Sequence, residues 1–139
     1  MRANAAPSLV GFIAIVLFVC GVVAQSAPQS DRIRVVPNEA ASRVDVIIDG
    51  QPFTSYIWPS KLAKPVLYPL RTAKGTIVTR GFPLEPRPGE RVDHPHHAGL
   101  WLNYENVNGI DFWNNSEAIK PENAPKMGAI RHRSIVSAK

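Results

Sequence analysis

Polar and apolar residues alternate with a period of two from residue 32 onward. Arg32-Ile33-Arg34-Val35 sets the pattern, and Ser42 to Ile48 repeats it with Val44, Val46 and Ile48 on one face. Successive side chains of a strand point to opposite faces, so this alternation predicts half-buried strands at 32–35 and 42–48. Asp49-Gly50 follows, a pair suited to a two-residue hairpin turn. Phe53 to Trp58 is then the returning strand, rich in aromatic and β-branched residues. The same reading predicts strands at 66–71, 76–80, 99–104, 110–113 and around 129–137, with turns at Ala73-Lys74-Gly75 and Asn106 to Gly109. Residues 81–95, GFPLEPRPGERVDHP, hold four prolines and two glycines and read as a long loop. Binding residues concentrate in such loops. No stretch past residue 30 carries the 3.6-residue apolar period of a helix. Short strands punctuated by Gly and Pro predict an all-β fold, an antiparallel β-sandwich, with 32–139 as its one domain.

The first residues have a different pattern. Arg2 precedes an apolar run from Leu9 to Ala24, interrupted only by glycines and Cys20. A basic start, an apolar stretch and a small residue at its end predict a secretory signal peptide over 1–24, followed by a polar linker over 25–31, with Ala27 as a second cleavage position. The apolar stretch is about 16 residues, shorter than the roughly 20 that span a bilayer as a helix. The expectation is therefore export to the periplasm or beyond, with no stable membrane insertion after cleavage. An uncleaved anchor through 9–24 is the alternative. Cleavage removes the single cysteine, so the mature chain holds no disulfide. The 16 Lys and Arg against 11 Asp and Glu are dispersed, without a basic helix or an aromatic-interleaved basic motif. Nucleic acid is accordingly not the expected partner.

The candidate chemistry is concentrated in one place. Residues 93–101 read DHPHHAGLW, which puts three of the chain's four histidines within four positions. On an extended backbone His94 and His96 point together and His97 points away, while Pro95 keeps His94 out of the right-handed helical region. Asp93 can orient a ring by accepting its N–H. Three roles compete. The imidazoles can exchange protons with a small polar substrate, since their pKa lies near neutrality. His94 and His96 can ligate a metal with a third ligand from elsewhere. Or the rings simply satisfy carbonyls of a Pro-rich loop. Trp101 and Trp113 are suited to stack on a sugar ring, and Asn103, Asp111 and Arg80 to supply hydrogen bonds. Alternation places His97, Gly99, Trp101 and Asn103 on a polar face and Ala98, Leu100 and Leu102 on an apolar one.

Four motifs together carry a resemblance. Between Tyr68 and Trp113 the chain contains Tyr-Pro-Leu-Arg-Thr-x-x-Gly, Val-Thr-Arg-Gly-Phe-Pro, Asp-His-Pro-His-His-x-Gly-Leu-Trp and Val-Asn-Gly-Ile-Asp-Phe-Trp. This resembles the secreted bacterial family known as PmoA-like. The resemblance implies a β-sandwich and, by fold analogy, a galactose-mutarotase-like supersandwich in which histidines and a carboxylate act on a sugar ring. It implies His94, His96 and His97 as site positions, with Arg71 and Arg80 as neighbours. Members of that family are considerably longer, so the resemblance also implies that this chain is the N-terminal part of such a domain. Methane oxidation, which the family label suggests, finds no support in the residues: neither Gln25 nor Pro28 would provide an N-terminal histidine for copper.

The expectation is thus an exported protein that binds a sugar or performs mutarotase-like acid/base chemistry on it, without a cofactor. His94 and His96 would exchange protons, His97, Trp101, Asn103, Arg80, Arg71 and Asp111 would bind, and Asp93 would orient. The alternatives are a Cu- or Zn-dependent oxidoreductase using the same histidines, and a noncatalytic binding module or inactive truncated product.

Overall fold

The computed structural model describes residues 32–138, so the expected signal peptide over 1–24 and linker over 25–31 lie outside the described residues. Six strands form in the described chain: β1 (Ile33–Asn38), β2 (Arg43–Ile48), β3 (Gln51–Ile57), β4 (Val66–Leu67), β5 (Asn106–Val107) and β6 (Ile110–Asp111). The first four make one antiparallel sheet in the order β1-β2-β3-β4, and the last two form a separate hairpin. Among the described residues the helical segments are two 3-10 turns, Glu39–Ala41 and Pro121–Lys126. The all-β, antiparallel class read from the alternation therefore stands. Among the described residues, no helix is long and apolar enough to cross a membrane.

Turn chemistry closes the hairpins. Asp49 and Gly50 have φ of 49° and 76°, the left-handed pair of a type I′ turn, which suits the twist of the flanking strands β2 and β3. Asn108 and Gly109 repeat that geometry, at 54° and 84°, between β5 and β6. Between β1 and β2, the Asn38 side chain accepts a hydrogen bond from the Ala41 N–H at 3.1 Å, which caps the 3-10 turn.

Several expected strands are shorter than the alternation suggests. The 66–71 segment is regular only at Val66–Leu67, although Tyr68 and Arg71 still donate to Ser55 and Phe53 of β3 at 2.8 and 3.0 Å. Pro69 lies between them and has no N–H to donate, which interrupts the ladder. The 76–80 segment makes one bridge, Ile77 with Arg71, and 99–104 makes one, Leu100 with Leu67. The 110–113 strand reduces to Ile110–Asp111, and 129–137 forms no strand. There Ile130 donates to Ala63 O at 2.8 Å, and His132 stacks on Trp58 with ring centroids 3.9 Å apart. Alternation reports an extended backbone, but a strand also requires a neighbouring edge to pair with.

The core joins the sheet to the histidine-bearing segment. Val66, Tyr68 and Ala98 are buried together, with Ile57, Leu62, Leu84 and Trp101 packed on them. This corrects the expected faces of 97–103: Leu100 and Leu102 are exposed, at 52% and 90%, while Trp101 packs inward. Gly99 is the cause. Its φ of 59° breaks the extended run, so the residue parity before it does not carry past it. A Cβ at Gly99 would stand 2.5 Å from the Leu67 carbonyl oxygen. The expected cost of Gly99→Ala combines a left-handed backbone with that clash, about 2 kcal/mol or more. Chemical denaturation measures it, and an unchanged unfolding midpoint would contradict this role for Gly99.

Candidate functional site

The loop over 81–95 is anchored before it reaches the histidines. The Glu90 carboxylate accepts the Gly81 and Phe82 N–H groups, and the Arg87 guanidinium reaches both Glu90 and the Tyr68 hydroxyl. Arg80 then gathers the next turn. It donates to the Asp93 carboxylate at 3.1 Å and to the carbonyls of Asp93 and His94, each at 2.8 Å, with His97 O at 3.4 Å. A guanidinium has five N–H donors in a fixed fork, which suits it to hold several carbonyls of one turn. Arg80 was expected to contact a ligand. Its partners here make it the clamp that shapes the histidine turn.

The three imidazoles converge. Ring centroids lie 5.0 Å apart for His94 and His97, 4.3 Å for His96 and His97, and 5.7 Å for His94 and His96. His97 was expected to point away from the other two. The chain is not extended here: His94 has a φ of 50°, and the His97 N–H closes a turn on His94 O at 2.9 Å. His94 Nδ1 lies 3.1 Å from the Asp93 carboxylate, the orienting contact expected of Asp93. The rings meet by faces and edges, and among the described residues no group of three or more His, Cys, Asp or Glu side chains is arranged to hold a metal ion.

His96 opens onto a cleft of about 340 Å³, and His94 and His97 do not line it. The cleft's polar lining comes from Lys61, Lys64, His96, Asn115, Ser116 and Glu117, and Phe82, Pro83 and Leu62 contribute apolar wall. Lys64 is the residue the sequence reading missed. It is only 4% exposed, its Nζ donates to Trp113 O at 2.7 Å, and the ammonium lies 5.0 Å from the centre of the Trp101 ring. Such a cation over an indole face is an attractive arrangement. No motif surrounds Lys64 in the sequence, and its burial depends on a carbonyl 49 positions away.

The remaining expected residues divide between structure and site. Trp101 and Trp113 do meet His97, at 5.5 and 6.0 Å between centroids, and each other at 5.6 Å. They form an aromatic backing to the histidines, and neither lines the cleft. Asn103 donates to Phe112 O at 2.7 Å and accepts the Tyr104 N–H, so its amide shapes the chain locally. The Asp111 carboxylate accepts the N–H groups of Trp113 and Asn114 and the Asn114 side-chain amide, which holds the loop that bears the Trp113 carbonyl. Arg71 is placed elsewhere, in a separate hollow on the sheet with Arg43, Asp45 and Ser55.

Burial and crowding set the protonation. Desolvation, then the neighbouring His97, Lys64 and His94, push the His96 pKa below the usual imidazole value of 6.5. Desolvation, then His94, Arg80 and Lys64, do the same to His97. Desolvation lowers Lys64 to about 8, with Asp111 opposing. Burial acts to raise the Asp111 carboxyl, but the Asn114 and Trp113 hydrogen bonds and the His96 charge outweigh it and hold it below the ordinary range. His96 is therefore a neutral base at neutral pH, beside a lysine poised to titrate just above it.

These directions fix a pH dependence of stability. When the folded pKa of a histidine lies below its unfolded value, the unfolded chain takes up the proton first as pH falls. Stability contributed by neutral His96 and His97 is thus full above 6.5 and is lost as pH falls from there toward their folded values. Urea midpoints compared at about pH 7.5 and about pH 5.5 should fall on acidification, and His96→Gln should flatten the change. A midpoint that rose on acidification would contradict the assignment.

Comparison with known proteins adds a family and nothing more specific. Neither a curated protein nor a solved structure matches the chain. The model of a family of unknown function, DUF6807, matches residues 43–139, which takes in β2 through β6, the histidine turn and both sides of the cleft. The chain belongs to the DUF6807 family.

Proposed function

We propose that this is an exported protein that binds a small polyhydroxylated ligand of the sugar type in the Lys64–His96 cleft, and that His96 exchanges a proton with that ligand. The observation that carries the reading is His96 itself: an imidazole held neutral by burial and cationic neighbours, lining a cleft of about 340 Å³. A neutral imidazole can take a proton from a hydroxyl as it ionises and return it to a ring oxygen, which is the transfer that anomeric interconversion needs. The cleft's mixed lining, with Asn115, Ser116 and Glu117 beside the apolar Phe82 and Pro83, suits a ring with hydroxyl edges and C–H faces. His97 and the Asp93–Arg80 clamp hold His96 from behind as positioning groups. His94, which contacts Asp93 outside the cleft, joins them rather than the proton transfer. The basic start and apolar run over 1–24 support export, and the resemblance of 68–113 to the PmoA-like family supports the sugar reading.

Titrating galactose and glucose into the ¹⁵N-labelled chain tests this. The His96 ring resonances should move first, and His96→Ala should weaken binding at least about tenfold while the rest of the spectrum stays folded. Unaltered sugar binding by a folded His96→Ala variant would remove His96 from the site.

A further inference from the structure

The most unusual residue lining the cleft is Lys64. It has three N–H donors, and among the described residues one is answered, by Trp113 O at 2.7 Å. Lys64 is 4% exposed, so bulk water offers little compensation. Among the described residues no carboxylate lies within 4.0 Å of Nζ, in contrast to Arg80 and Arg87, each paired with an acid at 3.1 and 3.3 Å. The Asp111 carboxylate is turned to Trp113 and Asn114 instead. A buried cation without an anion in contact is costly. Asp111 favours its charge without being in contact, while His96 and His97 are disfavoured from charging by it and Lys61 adds a second cation at the cleft. Glu117 is the one acid among the lining residues, and it is exposed.

From this arrangement we infer that the cleft takes an acidic sugar, a uronate or similar hydroxylated carboxylate, whose carboxylate pairs with Lys64 while its ring faces His96. This rests on the sugar-site reading above and narrows it to a substrate class. The pairing is charge-assisted, and at a lysine this buried it favours the anion over the neutral sugar of the same shape. The ammonium is already held over Trp101 and tied to Trp113 O, so little side-chain freedom is lost on binding.

The lowered pKa of Lys64 gives the pairing a second signature. Free, the lysine titrates at about 8. Asp111 opposes the lowering without cancelling it, and His96 and His97 add no negative charge, so an arriving carboxylate raises its pKa. Above about pH 8, uronate binding therefore draws a proton from solution.

Isothermal titration of the full chain with galacturonate and glucuronate, against galactose and glucose, tests the inference. Run at about pH 9 in two buffers of different ionisation enthalpy, it also counts protons. The expected result is at least about tenfold tighter binding of the uronates, with proton uptake that neutral sugars do not show. Lys64→Met should abolish both the preference and the uptake, and Lys64→Arg should keep the preference without the uptake. Equal affinity for uronates and neutral sugars overturns the inference and leaves the sugar site standing. Binding of none of the four by the folded chain overturns both. Because the comparison of ligands needs only the unsubstituted chain, it holds even if Lys64→Met fails to fold.

Discussion

The pairing of Leu67 with Leu100 is the constraint on which the site depends. Two backbone hydrogen bonds, at 2.7 and 3.0 Å, fasten the segment after the histidines to the edge of the sheet. Gly99 makes the approach possible, because any side chain there would strike the Leu67 carbonyl. From this junction the buried Val66, Tyr68 and Ala98 hold the sheet from one side and the histidine turn from the other. Arg80 supplies the second fixed point by gathering the carbonyls of the turn. A loop of prolines thus becomes a rigid support, with a strand edge at one end and a guanidinium at the other.

The electrostatic design follows from where the cations lie. Lys64 and Arg80 bracket the imidazoles, and each disfavours a positive charge on His97. His96 is held the same way by burial, His97, Lys64 and His94, and is a base that stays uncharged at neutral pH. Asp93 and Asp111, the nearest acids, are occupied by a guanidinium and by backbone amides. They shape loops instead of quenching the lysine, so the positive character of the cleft is kept for what enters it.

The legible part of the fold was the part written in local backbone chemistry. Asp49-Gly50 and Asn108-Gly109 state their turns, and 43–48 states a strand by alternation alone. The histidine cluster and the Asp93 contact were likewise readable, since their partners are neighbours in sequence. What required the structure was everything set by distant contacts. Gly99 reverses the faces that alternation assigns to Leu100 and Trp101. Arg71 lies near the motif in sequence but lines a separate hollow. Lys64 looks like any surface lysine in Ser-Lys-Leu-Ala-Lys-Pro until the carbonyl of Trp113 closes over it.

The most direct measurement of the central claim is a crystal structure of the chain grown with galacturonate. The account predicts a sugar ring in the Lys64–His96 cleft, its carboxylate within hydrogen-bonding distance of Lys64 Nζ and a ring or anomeric oxygen within reach of His96. A ligand bound elsewhere, such as in the open apolar groove formed by Tyr56, Leu100 and Leu102, with the cleft left to water, would contradict it.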